Sequence, residues 1–261
     1  MKIVTLMENT ACREGLACEH GLSLYIGTGE HRILFDAGQT EAFADNAQKL
    51  GIDLSRVELA VLSHGHYDHG GGLKRFLEIN AEAPVFLHRE AFGAHFNGTQ
   101  KDIGLDPALR HCGRLVFAED VLELVPGIRL HSCNDRPYTM DSFGLTRREG
   151  DAFVPDRFRH EQYLLIEEAG MRSCFSGCSH KGILNIVNWF RPDVLVGGFH
   201  FMKLDPAGEG AEALSSAARK LLEYPTTYNT GHCTGQAQFD FMKSIMGSRL
   251  HAISAGTVIR L

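Results

Sequence analysis

The stretch Val61-Leu62-Ser63-His64-Gly65-His66-Tyr67-Asp68-His69-Gly70-Gly71-Gly72 decides how this chain is read. It crowds three histidines and an aspartate into six residues, directly behind an apolar run, Leu59 to Leu62, that predicts a buried strand. Leu73, Phe76 and Leu77 then recur at helical spacing, so the three glycines lead into a helix. The cluster therefore occupies a strand-to-helix turn at the end of a sheet strand, where α/β folds keep their chemistry. A tight turn fans alternate side chains apart, so His64 and His66 can converge on one ion while Asp68 and His69 point to a second beside it. Imidazole and carboxylate together suit zinc, iron or manganese, whereas all-oxygen sites suit magnesium or calcium. A loop with surface histidines would account for one or two of these side chains but not for the spacing.

The H-x-H-x-D-H pattern resembles the signature of the metallo-β-lactamase fold superfamily. Later segments match the same family in order: Phe35-Asp36-Ala37-Gly38, Phe175-Ser176-Gly177-Cys178-Ser179-His180, Gly197-Gly198-Phe199-His200 and Thr230-Gly231-His232-Cys233-Thr234-Gly235. The last three look more specifically like the branch that includes the dihydropterin-ribofuranosyl-aminobenzene-phosphate synthase of methanopterin biosynthesis. The resemblance implies an α/β fold, a four-layered αββα sandwich of two mixed sheets flanked by helices, in one domain over 1–261. It implies two divalent metal ions, zinc first and iron or manganese as alternatives. His64, His66 and His180 would hold one ion; Asp68, His69 and His232 would hold the other. His160 competes with His180, because other branches draw that ligand from upstream of the glycine turn. Asp36 matches an aspartate that hydrogen-bonds a ligand histidine, a role that fixes ring orientation, and it is equally compatible with capping the next helix. In most of the superfamily an aspartate stands where Cys178 stands. Either Cys178 binds as a thiolate or it is an inert buried thiol.

Composition sets the bounds. With 261 residues and 44% hydrophobic content the chain can bury a substantial core. The net charge is −6 and no Lys/Arg run occurs, which disfavours nucleic acid as a partner. Met1 to Met7 is too short in apolar length for a signal peptide, and no apolar run approaches membrane-spanning length. Seven cysteines without a C-x-x-C fit a reducing cytoplasm better than a disulfide framework. Oligomeric state is not legible.

Along the chain, strands are expected at 2–7, 22–26, 32–35 and 85–88, and a helix through Phe43, Ala47 and Leu50 that Gly51 stops. Glu8, Asn9 and His20 are candidates to face the cleft, and His88 reads as a strand-end residue. From 91 to 159 the periodicity fades, which predicts an irregular lid or insert, with strands at 114–116 and 128–131 running through it. Its aromatics and arginines, Arg147 and Arg148 among them, would suit stacking on a ring and pairing with an anionic group. A hairpin follows at 163–176, then helices at 183–190, 211–223 and 236–246 around strands at 194–196 and 226–229, and two closing strands after Leu250.

The function expected is a metal-dependent hydrolase-type enzyme whose dinuclear site activates water, acting on a small aromatic or pterin-like molecule, with or without a phosphate. Two ions about 3.5–4 Å apart lower the pKa of a shared water to about 7. Asp68 and His200 are the catalytic candidates, His200 as a general acid/base between the ligand segments. The alternatives are a transferase or synthase of the branch's own type, or an iron-binding redox or sensor protein.

Overall fold

Short strands carrying apolar residues at consecutive positions must be covered on both faces, and this governs the layering. The computed structural model describes all 261 residues. It contains two seven-stranded sheets lying face to face and a smaller four-stranded sheet. In the first, the order runs Val258–Arg260, Lys2–Met7, Ser23–Gly27, Arg32–Phe35, Leu59–Val61, Val85–His88, Leu115–Ala118. In the second it runs Leu250–Ala252, Thr227–Thr230, Val194–Val196, Met171–Phe175, Tyr163–Glu168, Ile128–His131, Val121–Val125.

The strand alternation sorts residues into three cores. Ile33, Phe35, Leu59 and Val61 meet Leu164, Ile166, Val194 and Val196 between the sheets. Their neighbours Leu34, Ala60 and Leu62 turn outward onto Phe43 and Phe76, from helices Ala42–Lys49 and Leu73–Ile79. On the far side Tyr163, Leu165 and Leu195 turn onto helices Ile183–Phe190, Gly210–Leu222 and Gln236–Met246. Burying each such Leu, Val or Phe contributes roughly 1.5–3 kcal/mol. The result is the expected αββα sandwich of two mixed sheets.

The segment 91–159 departs from the expectation of an irregular insert. Leu115–Ala118 completes the first sheet, and Val121–Val125 with Ile128–His131 completes the second. Ala152–Pro155, Leu145–Glu149, His95–Asn97 and Lys101–Asp102 form the small third sheet. Leu115–Ala118, Val121–Val125, Ala152–Pro155 and Lys101–Asp102 are short edge elements of their sheets, and the 61% exposure of Val121 and 47% of Phe117 marks an open face. A short edge strand that is half exposed leaves little hydrophobic alternation to read.

The metal-type turn packs under the loop at Ala91. A Cβ on Gly65 would lie 1.9 Å from the Ala91 carbonyl oxygen, while one on Gly113 would meet nothing within 4 Å. Gly65→Ala should therefore destabilise the fold by about 1–3 kcal/mol, while Gly113→Ala should be neutral or stabilising by up to about 1 kcal/mol. Urea unfolding midpoints of the two variants test this; equal midpoints would contradict the packing described.

Candidate metal centre

Parallel strands in an α/β layer present their carboxyl ends as a common rim, and here five strand ends from both sheets converge. Arg32–Phe35 delivers Asp36, Leu59–Val61 delivers the His64 turn, and Met171–Phe175 delivers Cys178 and His180. Val194–Val196 leads to His200 and Thr227–Thr230 to His232. Asp36, Ser179, His200 and His232 all have positive φ, between 50° and 60°. Non-glycine residues rarely adopt this conformation and do so where the surroundings over-determine it. Tyr67–Gly70 adds one helical turn, which keeps Asp68 and His69 on the rim.

Hydrogen bonds fix which nitrogen each histidine turns to the centre. The Asp36 carboxylate accepts the Ser63 amide N–H at 2.7 Å, the Ser63 hydroxyl at 2.7 Å and the His69 Nδ1–H at 2.7 Å. Because Ser63 donates its only hydroxyl proton to Asp36, it accepts from His64 Nδ1 at 2.8 Å. Asn9 Oδ1 accepts from His232 Nδ1 at 2.9 Å. Three rings therefore carry their proton on Nδ1 and present a bare Nε2 lone pair to the centre. Gly177 allows this arrangement, since a Cβ there would sit 2.1 Å from Ser63 Oγ and 2.9 Å from His64 Nδ1.

Those lone pairs face other ring nitrogens. His69 Nε2 and His232 Nε2 are 3.2 Å apart, and His64 Nε2 and His180 Nε2 are 3.3 Å apart. The two bare lone pairs of His69 and His232 repel unless a cation lies between them. A tetrahedral zinc ion with nitrogens at about 2.0–2.1 Å has nitrogen–nitrogen edges of about 3.3 Å, so the residues fit such an ion. Asp68 Oδ2 lies 3.4 Å from His232 Nε2 and 3.8 Å from His69 Nε2, completing an oxygen side to that pair. Cys178 is common to both groups: its Sγ is 3.2 Å from His69 Nε2, and it stands within 4.8 Å of the donor atoms of His64 and His180 as well as of His69 and His232. The thiol thus occupies a bridging place, although burial first, and then the neighbouring Cys233 and carboxylates, push its pKa well up.

Other candidates divide. The His160 Nδ1 accepts the Gly65 N–H at 2.8 Å, which leaves Nε2 protonated and facing Asp156 Oδ2 at 3.5 Å. His160 cannot offer a lone pair to an ion without losing that bond, whereas His180, whose Nδ1 has no partner, is free to carry its proton there and turn Nε2 to the centre. His200 packs its ring 4.3 Å from that of His180, with both nitrogens lacking partners. His20 Nε2 approaches Asp68 at 3.3 Å, so Asn9 and His20 do face the centre, and Glu8 holds the His232 backbone N–H. His88 stays apart, accepting the Glu90 N–H.

Arg147 and Arg148 are not brought to the cleft. Arg147 pairs with Glu90 at 2.8 Å and Glu149 at 2.6 Å, and Arg148 donates to the Gly150 carbonyl. From that strand it is Leu145 that reaches the cleft, a cavity of about 160 Å³ also lined by Tyr67, Asn97, Lys101, His200 and Lys203. Beside it a more apolar cavity of about 340 Å³, lined by Met140, Phe143, Phe199 and Phe201, shares His180 and His200. The two lysines and the buried His95–Asp156 pair were missed from sequence, because isolated polar residues in non-periodic stretches carry no spacing signal.

A model of the metallo-beta-lactamase superfamily matches residues 17–168, and the chain belongs to that superfamily. It is 32% identical, over 97% of its length and 95% of the relative's, to the 7,8-dihydropterin-6-methyl-4-(beta-D-ribofuranosyl)-aminobenzene-5'-phosphate synthase of Methanocaldococcus jannaschii. The crystal structure of Tm1679, described as a metal-dependent hydrolase of the beta-lactamase superfamily, superimposes with a TM-score of 0.82 at 26% identity, covering 100% of this chain and 99% of the other. Zinc-bound PqqB from Methylobacterium extorquens shares the fold, with a TM-score of 0.57, 12% identity and full coverage of both chains.

Burial holds His64, His66 and His180 well below the usual histidine range, with the neighbouring imidazoles adding to it. His160 is lowered to about 4, again by burial first and His95 second. Burial would also lower His69, but Asp36 and Asp68 override it and raise that group. For a histidine whose folded pKa is depressed, the unfolded chain binds more protons below about pH 6.5, so stability falls as pH drops. His160 alone accounts for a loss on the order of 3 kcal/mol between pH 6.5 and 4. The urea midpoint of chelator-treated protein should fall through this window. A midpoint that is flat or rises toward pH 4 would contradict neutral buried imidazoles.

Proposed function

We propose that the protein is a metal-dependent enzyme of the synthase kind, joining two parts of a small molecule that has an aromatic portion and an anionic portion. The observation that carries this reading is the 32% identity, extending over 97% of the chain, to a synthase whose named product links a dihydropterin to a ribofuranosyl-aminobenzene phosphate. His64, His66 and His180 would hold one divalent ion and Asp68, His69 and His232 the other, with Cys178 between them; zinc suits this nitrogen and sulfur set best. When bound, such a pair supplies Lewis acidity toward a substrate oxygen and lowers the pKa of water.

The chain's own side chains then divide the remaining work. Lys101 and Lys203 line the polar cavity and offer charge-assisted hydrogen bonds to a phosphate. Phe143, Phe199 and Phe201 line the apolar cavity and offer ring faces to an aromatic group. His200 stands where the two cavities meet and is placed to take or return a proton. Seven free thiols suit a reducing compartment such as the cytoplasm.

A second reading, hydrolysis by water acidified at the same ion pair, is favoured by the 26% identity and full coverage with Tm1679. Mass spectrometry separates the two. Zinc-, iron(II)- or manganese(II)-loaded protein is mixed with a ribofuranosyl-aminobenzene 5′-phosphate and a 7,8-dihydropterin whose 6-methyl carbon carries a phosphate ester, which leaves as phosphate when the new bond forms; esters and lactones form a parallel panel. Synthase activity predicts the joined product, reduced at least a hundredfold in His69→Ala, a magnitude on the order of that for lost ligand or positioning contacts. Turnover of the ester panel without any joined product would overturn the synthase reading in favour of the hydrolase.

A further inference from the structure

Behind His66 lies a buried polar cluster of which the metal reading uses only His66. The donor atoms of His66, His95, Asp156 and His160 lie within 4.8 Å of one another, and all four side chains are buried. His66 lines the cleft, yet its Nε2 is sealed from solvent without a partner, and so is the Nε2 of His95. A buried ring nitrogen left unpaired loses its hydration with nothing to replace it.

We propose that His95 and Asp156 form a positioning relay for His66: His66 Nε2–H donates to His95 Nε2, and His95 Nδ1–H donates to Asp156. This rests on the reading of His66 as a metal ligand. The second link is explicit, since His95 Nδ1 is 2.7 Å from Asp156 Oδ2. A carboxylate only accepts, so His95 carries its proton on Nδ1 and its Nε2 is a lone pair. The other oxygen of Asp156 accepts the Phe158 N–H at 2.7 Å, which fixes the carboxylate. His66, turning Nδ1 to the cleft, must carry its proton on Nε2, so donor and acceptor are complementary. The two rings meet edge-on, with centroids 5.6 Å apart and the cluster's donor atoms within 4.8 Å of one another, so a small rotation of either ring closes the bond between them.

The same bonds argue against a third ion in this cluster. His160 Nδ1 is committed to the Gly65 N–H, and both oxygens of Asp156 are committed as acceptors. What His160 does is brace the relay, its ring lying 3.8 Å from that of His95. His64, His69 and His232 take their orienting bonds from Ser63, Asp36 and Asn9. The relay gives His66 the same kind of support, from the third sheet and the segment after it.

Zinc affinity, measured by competition with a chromophoric chelator, tests the proposal in wild type, His66→Ala, His95→Ala, His95→Gln and Asp156→Asn. The relay predicts that His95→Ala weakens one zinc equivalent by roughly ten- to a hundredfold and leaves the other unchanged. His95→Gln, whose amide oxygen can accept from His66, should recover part of that loss. Long-range proton–nitrogen NMR of zinc-loaded wild type, which needs no variant to fold, should find His95 protonated on Nδ1 and His66 on Nε2. Undiminished binding in His66→Ala would overturn the ligand reading and the relay with it. Loss in His66→Ala with none in His95→Ala, or a His95 protonated on Nε2, would overturn the relay alone. So would a third zinc equivalent in wild type that disappears in His95→Ala and Asp156→Asn.

Discussion

The carboxylate of Asp36 is the interaction on which the rest of the centre depends. It is fully buried, and it accepts three hydrogen bonds within 2.7 Å from Ser63 and His69. Through Ser63 it also determines the proton position on His64. One anion therefore sets the tautomers of two rings of the candidate centre. Its αL conformation, with φ at 60°, turns the chain sharply off the end of its strand and brings the carboxylate beneath the His64 turn. The carboxylate also raises the proton affinity of His69 against the effect of burial. A cation at Nε2 would compete with that proton, so metal binding here is coupled to proton release.

The sandwich makes this geometry available because both sheets end their parallel strands at the same rim. The first sheet contributes Asp36 and the His64–His69 turn; the second contributes Cys178, His180, His200 and His232. Glu161 ties the second half together from below, accepting the backbone N–H groups of His180 and Lys181 at 2.7 and 2.9 Å. The core between the sheets, with Phe35 and Phe175 in contact at 6.1 Å between ring centroids, fixes the distance between the halves. Close packing of that kind leaves little freedom for the donor atoms to drift.

Much of this was legible in the sequence, and the reason is periodicity. Leu59–Val61, Val194–Val196 and Ile183–Phe190 announce themselves by unbroken or helical apolar patterns, and each delivers or follows a ligand-type residue. The H-x-H-x-D-H spacing points to the first part of the candidate centre, and the resemblance points to Asp36, whose hydrogen bonds only the structure shows. What remained hidden depends on contacts remote in sequence. Arg147 looked free to bind an anion but finds Glu90, 57 residues away. His95 and Asp156, 61 residues apart, meet across the small third sheet. Cys178 could be inert or a ligand on sequence grounds; only the convergence of His64, His69, His180 and His232 around its sulfur assigns it a central place.

The central claim is that tautomers locked by Asp36 create a pair of cation sites. Asp36→Asn tests it most directly. Asparagine keeps the size and an oxygen for the Ser63 N–H, but its amide would donate toward Ser63 Oγ and His69 Nδ1, forcing the proton of His69 onto Nε2. The measurement is the number of zinc equivalents retained after dialysis, with the fold monitored by circular dichroism. The account predicts two equivalents in the wild type and one or fewer in Asp36→Asn with the secondary structure intact. Two equivalents held with undiminished affinity by a folded Asp36→Asn protein would contradict it.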